Sequence, residues 1–305
     1  MQVIELKPDF SFTTPTVLTV GVYDGVHLGH QALLRQVVEV ARSQRLPAVL
    51  MSFEPHPRNV LAGHTVVHML TPHQEKVELL RALGLDYWVV CPFDGAFAAQ
   101  PMSAYVVNVL VGQLRVQTLL IGHDHQFGKD RSGGFSDLLA FGEERHFQVR
   151  QLEAQSIGGA VISSSKIRNC LLAGDIEKAN DYLGRPYRLI GQVVHGNKRG
   201  RQLGYPTANL VLPADKLIPA GGVYTVRVRH QKNFYLGMMN IGTNPTFTRE
   251  EEKKIEVHIL DFSADLYGQT LEVDVLGYLR EERKFASLEM LVQQLQEDES
   301  KIRHL

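Results

Sequence analysis

Net charge, cysteine and long apolar runs are all scarce in this chain of 305 residues. Lys and Arg number 32 against 33 Asp and Glu, a formal net charge of −1. No global field therefore favours nucleic acid or an anionic membrane as a partner, although a few local donors suffice to hold a nucleotide-sized anion. Two cysteines, Cys91 and Cys170, stand far apart and exclude a disulfide framework, so they read as reduced thiols. No apolar stretch approaches the roughly 20 residues needed to span a bilayer. The opening MQVIELKPDF has no basic region followed by an apolar run, so no secretory signal is expected and the chain reads as cytoplasmic. Present in quantity are hydrophobic residues, 44% of the chain beside 21% charged, which is enough to build packed cores. The length favours two domains.

The first half alternates strand and helix patterns. Thr16 to Val22 is rich in β-branched residues and ends at a turn holding Asp24 and Gly25. Leu33, Val37, Val40 and Ala41 then recur at helical spacing, predicting a helix from about His27 to Gln44. Further strands are expected over Ala48 to Phe53, Leu85 to Cys91 and Gln117 to Ile121. A helix start is expected at Thr71, as N-cap, with Pro72 at the first position and Gln74 completing a capping box. Strands alternating with helices mean a parallel, Rossmann-like sheet whose ligands gather at the carboxyl ends of its strands.

After Gly184-Arg185-Pro186 the strand patterns follow one another without helices between them. Period-2 alternation is clear in Leu271 to Val275 and in Tyr224 to Arg229, where Val226 and Val228 share a face opposite Arg227 and Arg229. A small antiparallel barrel is expected, with Leu288, Leu291, Val292 and Leu295 forming the packed stripe of a C-terminal helix. The fold class is therefore α/β in residues 1–185 joined to a β-barrel with a helix in residues 186–305.

The densest motif is VGVYDGVHLGH, Val20 to His30. A strand delivers the chain to a turn with glycines at 21, 25 and 29, and His27 and His30 lie one turn apart where the next helix begins. Backbone N–H groups and the helix dipole favour an anion there, and imidazoles can donate to phosphate oxygens whose charge grows during transfer. Standing alone, a histidine pair at this spacing is also compatible with a metal site or with surface polar residues. Of the 13 histidines, nine precede residue 150, but His64, His68 and His73 have no cysteine partners. They are read as solvated loop residues rather than zinc ligands.

This segment resembles the H-x-G-H signature of nucleotidyltransferases. Its longer form, G-x-[FY]-D-G-V-H-x-G-H, is similar to that of the FMN adenylyltransferase domain of bacterial bifunctional riboflavin kinase/FAD synthetases. SFEPHPRNVL, IGHDHQFGKDRSGG and ISSSKIR follow in that family's order. The resemblance implies that Gly21, Tyr23, Asp24, Gly25, His27 and His30 surround ATP phosphates, with the two histidines catalytic. It implies that Phe53, Pro55, His56, Pro57 and Asp124 shape the flavin cleft, and that Ser164, Ser165 and Arg168 close on the triphosphate. Tyr23 for phenylalanine, Glu54 for aspartate and His125 for phenylalanine depart from the family pattern.

A second motif, GQVVHGNKRGRQLGYPTANL, spans Gly191 to Leu210. Glycines at 191, 196, 200 and 204 punctuate a strand, a basic loop with Lys198, Arg199 and Arg201, and a second strand. Thr207 and Asn209, two apart, face the same way on extended chain and are hard oxygen ligands suited to Mg²⁺ held with ATP phosphates. A carboxylate on a neighbouring strand would take the proton of an acceptor hydroxyl, and Glu256 is the candidate, although a glutamate alternating with Ile255 and Val257 is as readily a solvent-facing residue. The string resembles the riboflavin kinase family, and GGVYTV, NIGTNPTF, EVHILDF and DLYG follow in its order. That resemblance implies that Gly196, Gly200, Arg201, Gly204, Thr207 and Asn209 bind Mg²⁺-ATP. It makes Glu256 the base acting on the ribityl 5′-hydroxyl, and places Arg283 and Phe285 over the flavin.

The expected activity is phosphorylation of riboflavin to FMN and adenylylation of FMN to FAD, with ATP as co-substrate. The competing readings are a riboflavin kinase whose first domain is inactive or serves another substrate, and a non-catalytic flavin- or RNA-binding barrel. The partners expected are small molecules, and no motif sets the oligomeric state.

Overall fold

Five consecutive residues, Thr16–Val20, are buried. A strand covered on both faces has that pattern, and this one sits inside a parallel sheet. The computed structural model describes residues 1–61, 66–123, 126, 133–153, 156–196, 199–243 and 253–304. They form two compact units, Met1–Ser163 and Ser164–Leu305.

The sheet of the first unit comprises β1 (Gln2–Glu5), β2 (Thr16–Val20), β3 (Ala48–Glu54), β4 (Tyr87–Pro92), β5 (Val116–Gly122) and β6 (Gln148–Leu152), in the order β1-β4-β3-β2-β5-β6. All neighbours run parallel. Alternate strand residues feed two cores. Leu18, Val20, Val49, Met51, Val89 and Ile121 face the π-helix Tyr105–Gln113 and Leu138 of the helix Phe135–Arg145. Val17, Leu50, Trp88 and Leu120 face the helix Leu28–Gln44 through Leu34, Val37 and Ala41. Each fully buried Leu or Val contributes about 1.5–3 kcal/mol, which outweighs the modest intrinsic helix propensity of its two valine-rich turns. A short hairpin, β7 (Ser156–Ile157) with β8 (Ala160–Val161), ends the unit.

The expected helix at His27 begins at Leu28 with His27 as its cap. The expected capping by Thr71 is not what forms. The helix His73–Ala82 is capped by Pro72 without a side-chain bond, because the Thr71 hydroxyl is engaged elsewhere. His73, expected in a solvated loop, opens that helix, stacks on Trp88 at 4.6 Å and meets the Glu54 carboxylate at 3.0 Å. His64 lies outside the described residues, as do Asp124, His125, Arg131 and Lys198.

The second unit begins with the helices Ser164–Leu172 and Ile176–Leu183. Asn180 docks the latter: its amide donates to Val275 O at 2.9 Å and its oxygen accepts from Tyr187 N at 2.7 Å. β9 (Tyr187–Val194), β10 (Ala208–Val211), β11 (Gly222–His230), β12 (Asn233–Thr243), β13 (Lys253–Ile259) and β14 (Thr270–Arg280) close a barrel in the order β10-β13-β12-β11-β14-β9. Its interior holds Leu189, Val226, Val228, Met239, Ile241, Val257, Val273 and Val275, all fully buried.

The C-terminal helix Leu288–Arg303 packs outside this barrel, with Ile302 and Leu295 against Val223, Met238 and Leu260. The expected apolar stripe is only partly used, since Leu288 is 63% exposed. The helix instead buries Gln294, Asp298 and Ile302. Asp298 is affordable there because Arg280 donates to it at 2.9 Å.

On the outer barrel face Asp274, 4% exposed, accepts Arg188 Nε and Arg227 Nη2, both at 2.8 Å. Glu272 pairs with Arg188 and Arg229 from a more open position. Removing Asp274 takes the carboxylate from Arg227 and leaves Arg188 only Glu272, and both guanidinium groups are partly exposed. Asp274→Ala is therefore expected to cost about 2 kcal/mol in the unfolding transition of the barrel. Glu272→Ala is expected to cost under about 1 kcal/mol in the same denaturant titration. Equal losses would contradict the ranking.

Candidate active sites

The order in which strands are added to the sheet switches sides between β2 and β5: β3, β4 and β1 lie to one side of β2, β5 and β6 to the other. Open α/β sheets leave a crevice at the carboxyl ends of their strands at such a switch point. The loop Gly21–His27 stands there. Its backbone has positive φ at Tyr23 (53°), Gly25 (87°) and Val26 (40°), a tight path rarely adopted by side-chain-bearing residues. A carboxylate holds it. Asp24, 2% exposed, accepts the Leu70 and Thr71 amides at 3.0 Å each, while the Gly25 amide donates to the Thr71 hydroxyl at 2.8 Å. Lys76 Nζ donates to Val22 O at 3.2 Å.

Tyr23 folds under the loop, its hydroxyl 2.5 Å from that of Thr19. Burial raises its pKa well above the ordinary tyrosine range, so the phenol stays protonated. Gly21 is required beneath it: a Cβ there would lie 2.9 Å from the Tyr23 ring. The His30 amide donates to His27 Nδ1 at 3.3 Å, and the two imidazoles stack at 3.6 Å with their planes 17° apart. The six expected phosphate-site residues are thus brought together, with two imidazoles at the start of a 17-residue helix.

Phe53 stands one residue before the end of β3, the neighbouring strand, and meets Phe93 and Phe97 at 5.5 and 5.8 Å. Pro55 follows a cis peptide bond after Glu54. Pro57 starts a short helix, and His56 Nδ1 accepts the Arg58 amide at 3.1 Å. Asp124 falls beyond the described end of β5. Ser164, Ser165 and Arg168 open the first helix of the second unit, where Ser164 and Arg168 stand one turn apart on one face. Burial, with Asp94 adding to it, pushes the Cys91 thiol up to about 12, so it offers no thiolate nucleophile.

In the barrel, Asn209 pairs with Glu256 across β10 and β13, and Glu256 pairs with Asn240 across β13 and β12. Opposed residues share a face, so three polar side chains form a row on the outside of the barrel. Thr207 precedes Asn209 by two and projects to the same face. The chain at Gly196 lies against the Asn209 amide so closely that a Cβ would stand 2.2 Å from its nitrogen. Gly200 sits equally tight on the Tyr205 carbonyl, within a one-turn helix Arg199–Gln202. Gly204 takes a φ of 82° and Arg201 is exposed. Neither Thr207, Asn209 nor Glu256 forms a side-chain hydrogen bond or ion pair with another described residue, so all three remain available.

Arg283 lies over the Phe285 ring at 4.9 Å and donates to Gln294 of the C-terminal helix. Sequence reasoning missed several supports: Thr71, Lys76, Asn240 and Glu282. A hydroxyl, a lysine, an amide and a carboxylate scattered along the chain carry no short-range pattern.

The FAD synthetase family model matches residues 9–166 and the riboflavin kinase model residues 183–305. A bifunctional riboflavin kinase/FMN adenylyltransferase of Listeria monocytogenes is 40% identical over 94% of this chain and 91% of its own. Its namesake in Escherichia coli K12 is 39% identical over 93% and 90%, respectively. A solved structure from Streptococcus pneumoniae, described as a macrolide-efflux protein, superposes with a TM-score of 0.93 at 34% identity and covers 99% of both chains. Among the described residues of the present chain no helix is long and apolar enough to cross a membrane. With both family models matched and identity sustained across nearly the full length, the chain belongs to the bifunctional riboflavin kinase/FMN adenylyltransferase family, making FMN from riboflavin and FAD from FMN.

Proposed function

We propose that the kinase reaction takes place on the outer face of the barrel along the row Thr207, Asn209 and Glu256. The observation that carries this reading is the strand register, which sets an uncommitted carboxylate directly beside an uncommitted amide under the Gly196 turn. Glu256 accepts the proton of the riboflavin 5′-hydroxyl as its oxygen attacks the γ-phosphorus of ATP, and ADP leaves. The Thr207 hydroxyl and Asn209 amide oxygen are hard donors that fit a magnesium ion bound jointly with ATP phosphates, and the Gly196 turn leaves the space above Asn209 free of a side chain. Such an ion would neutralise phosphate charge. Gly200 and Gly204 let the loop bearing Arg201 fold back toward the phosphates, and Arg283 with Phe285 covers the flavin.

For adenylylation, we infer that the FMN phosphate attacks the α-phosphorus of a second ATP at the Gly21–His30 loop, and pyrophosphate leaves. His27 and His30 donate to oxygens that gain charge, with the helix N-terminus adding to their field. Phe53, Pro55, His56 and Pro57 serve the flavin side, and the hydroxyls of Ser164 and Ser165 with the Arg168 guanidinium have the chemistry of triphosphate donors. The functional boundary is placed near residue 185, between residues 1–185 and 186–305, and the enzyme is assigned to the cytoplasm.

The two reactions are expected to fail separately. Glu256→Gln should lower FMN formation at least 100-fold while leaving FAD formation from supplied FMN within about twofold, assayed by chromatography of flavin products. His30→Ala should do the reverse, with FMN accumulating and FAD production falling on the order of 100-fold. Loss of both products in either folded variant would refute the separate assignment.

A further inference from the structure

β10 pairs with β13 from Ala208 onward, so Thr207 sits one residue ahead of the ladder. Its direction depends on the peptide that leads into it. The ring of Pro206 locks φ and the peptide bond is planar, which leaves ψ of Pro206 as the soft torsion that turns this peptide. His258 acts on that torsion: its Nδ1 stands 2.7 Å from the Pro206 carbonyl oxygen. A carbonyl only accepts, so Nδ1 carries the proton and donates. Pro206 is exposed, so the bond is not forced by deep burial of the chain there. What the imidazole adds is direction.

The donor is braced in turn. His258 lies on β13 two residues from Glu256, on the same outer face. Tyr205 meets its ring edge-on, centroids 5.1 Å apart, and the Tyr205 hydroxyl donates to Glu299 of the C-terminal helix at 3.1 Å. Glu299 also accepts Arg303 Nε at 2.8 Å, and Arg303 holds Asp261 with its other two nitrogens. From the loop side the Tyr205 amide donates to Gly200 O at 2.9 Å. Tyr205 and Pro206 are thus gripped by helix, loop and barrel, and β13 contributes both the candidate base and the donor that turns the Pro206–Thr207 peptide. We propose that His258 is a positioning residue of the kinase site: its Nδ1–H fixes the peptide before Thr207 and so aims the Thr207 hydroxyl along the row with Asn209 and Glu256, toward the ATP phosphates. This inference rests on the assignment of Thr207 to the ATP side of that row. A misdirected hydroxyl weakens the hold on ATP and leaves the flavin end of the site as it was.

The test uses the full chain with His258→Asn, His258→Gln and His258→Leu. The Nδ2 of an asparagine takes the place of Nδ1, whereas a glutamine presents its amide farther out and a leucine presents no donor. In the Gln and Leu variants kcat/KM for ATP in FMN formation should fall at least about tenfold, with KM for riboflavin at saturating ATP within about twofold of wild type. His258→Asn should stay within about threefold of wild type in both. In nucleotide-free protein the amides of residues 205–209 should exchange hydrogen about fivefold or more faster in the Gln and Leu variants than in wild type or the Asn variant. His258→Gln carries the test if His258→Leu does not fold. Wild-type kinetics in the Gln or Leu variant, equal losses in Asn and Gln, or unchanged exchange over residues 205–209 overturns the proposal. Thr207→Val assayed alongside separates the two readings: if it is impaired while the Gln and Leu variants are not, only the positioning role fails. If Thr207→Val matches wild type, the assignment of Thr207 fails and the proposal with it.

Discussion

Side chains on a strand alternate between faces, and the second site depends on that constraint. β13 places Ile255, Val257 and Ile259 in the barrel interior, so Glu256 must point outward. Its partners are then fixed by register, Asn209 on one side and Asn240 on the other. A slip of one residue in β13 would send Glu256 into the apolar interior and bring Ile255 or Val257 beside Asn209. The burial of three apolar residues opposes that slip with several kcal/mol. The core therefore sets the position of the carboxylate without touching it, and ring closure of the six strands leaves no free edge at which the register could relax.

The first site is fixed by a different device, a buried anion rather than a ladder. The loop after β2 has no strand partner beyond the Gly21 amide, which donates to Met51 O at 3.1 Å. Three positive-φ residues in this stretch store conformational cost, on the order of 1 kcal/mol or more for those bearing side chains. Asp24 offsets it by binding the backbone at Leu70 and Thr71, about 46 residues away in sequence. The Thr71 hydroxyl accepts the Gly25 amide at 2.8 Å, which explains why Thr71 does not cap its helix. One hydroxyl cannot serve both positions, and the glycine-rich loop takes it. The backbone of this loop is thus organised by the fold itself.

Much of this was legible in the sequence, for identifiable reasons. β2, β3 and the helix Leu28–Gln44 were readable because apolar spacing and a glycine turn agree there. The barrel was readable from alternation such as Leu271, Val273 and Val275 against Glu272 and Asp274. β1 was missed because four residues at a sheet edge, QVIE, barely alternate in burial. The π-helix Tyr105–Gln113 was missed because YVVNVLVGQ is apolar nearly all round and its turn does not match a 3.6 period. The C-terminal helix was found with its packed face misjudged. Apolar periodicity assigns Leu288 to the core and ignores Gln294 and Asp298, which are buried because Arg280 and Arg283 meet them. At the kinase site, Thr207, Asn209 and Glu256 were legible through motif strings, whereas Asn240 and Glu282 become visible only when register brings distant strands side by side.

A chain with a net charge of −1 that handles two triphosphates must obtain its positive potential locally. The first unit offers a helix N-terminus and two imidazoles, none of which alters net charge at neutral pH when the imidazoles are neutral. The barrel instead keeps hard oxygen donors uncommitted and spends most of its arginines elsewhere. Arg188, Arg227 and Arg229 neutralise Asp274 and Glu272, while Arg280 neutralises Asp298. A paired arginine adds little field at a distance, because its carboxylate cancels it within a few ångströms and the Debye length is only about 8 Å. Charge recognition in this protein is therefore short-ranged, made of oriented dipoles and individual donors.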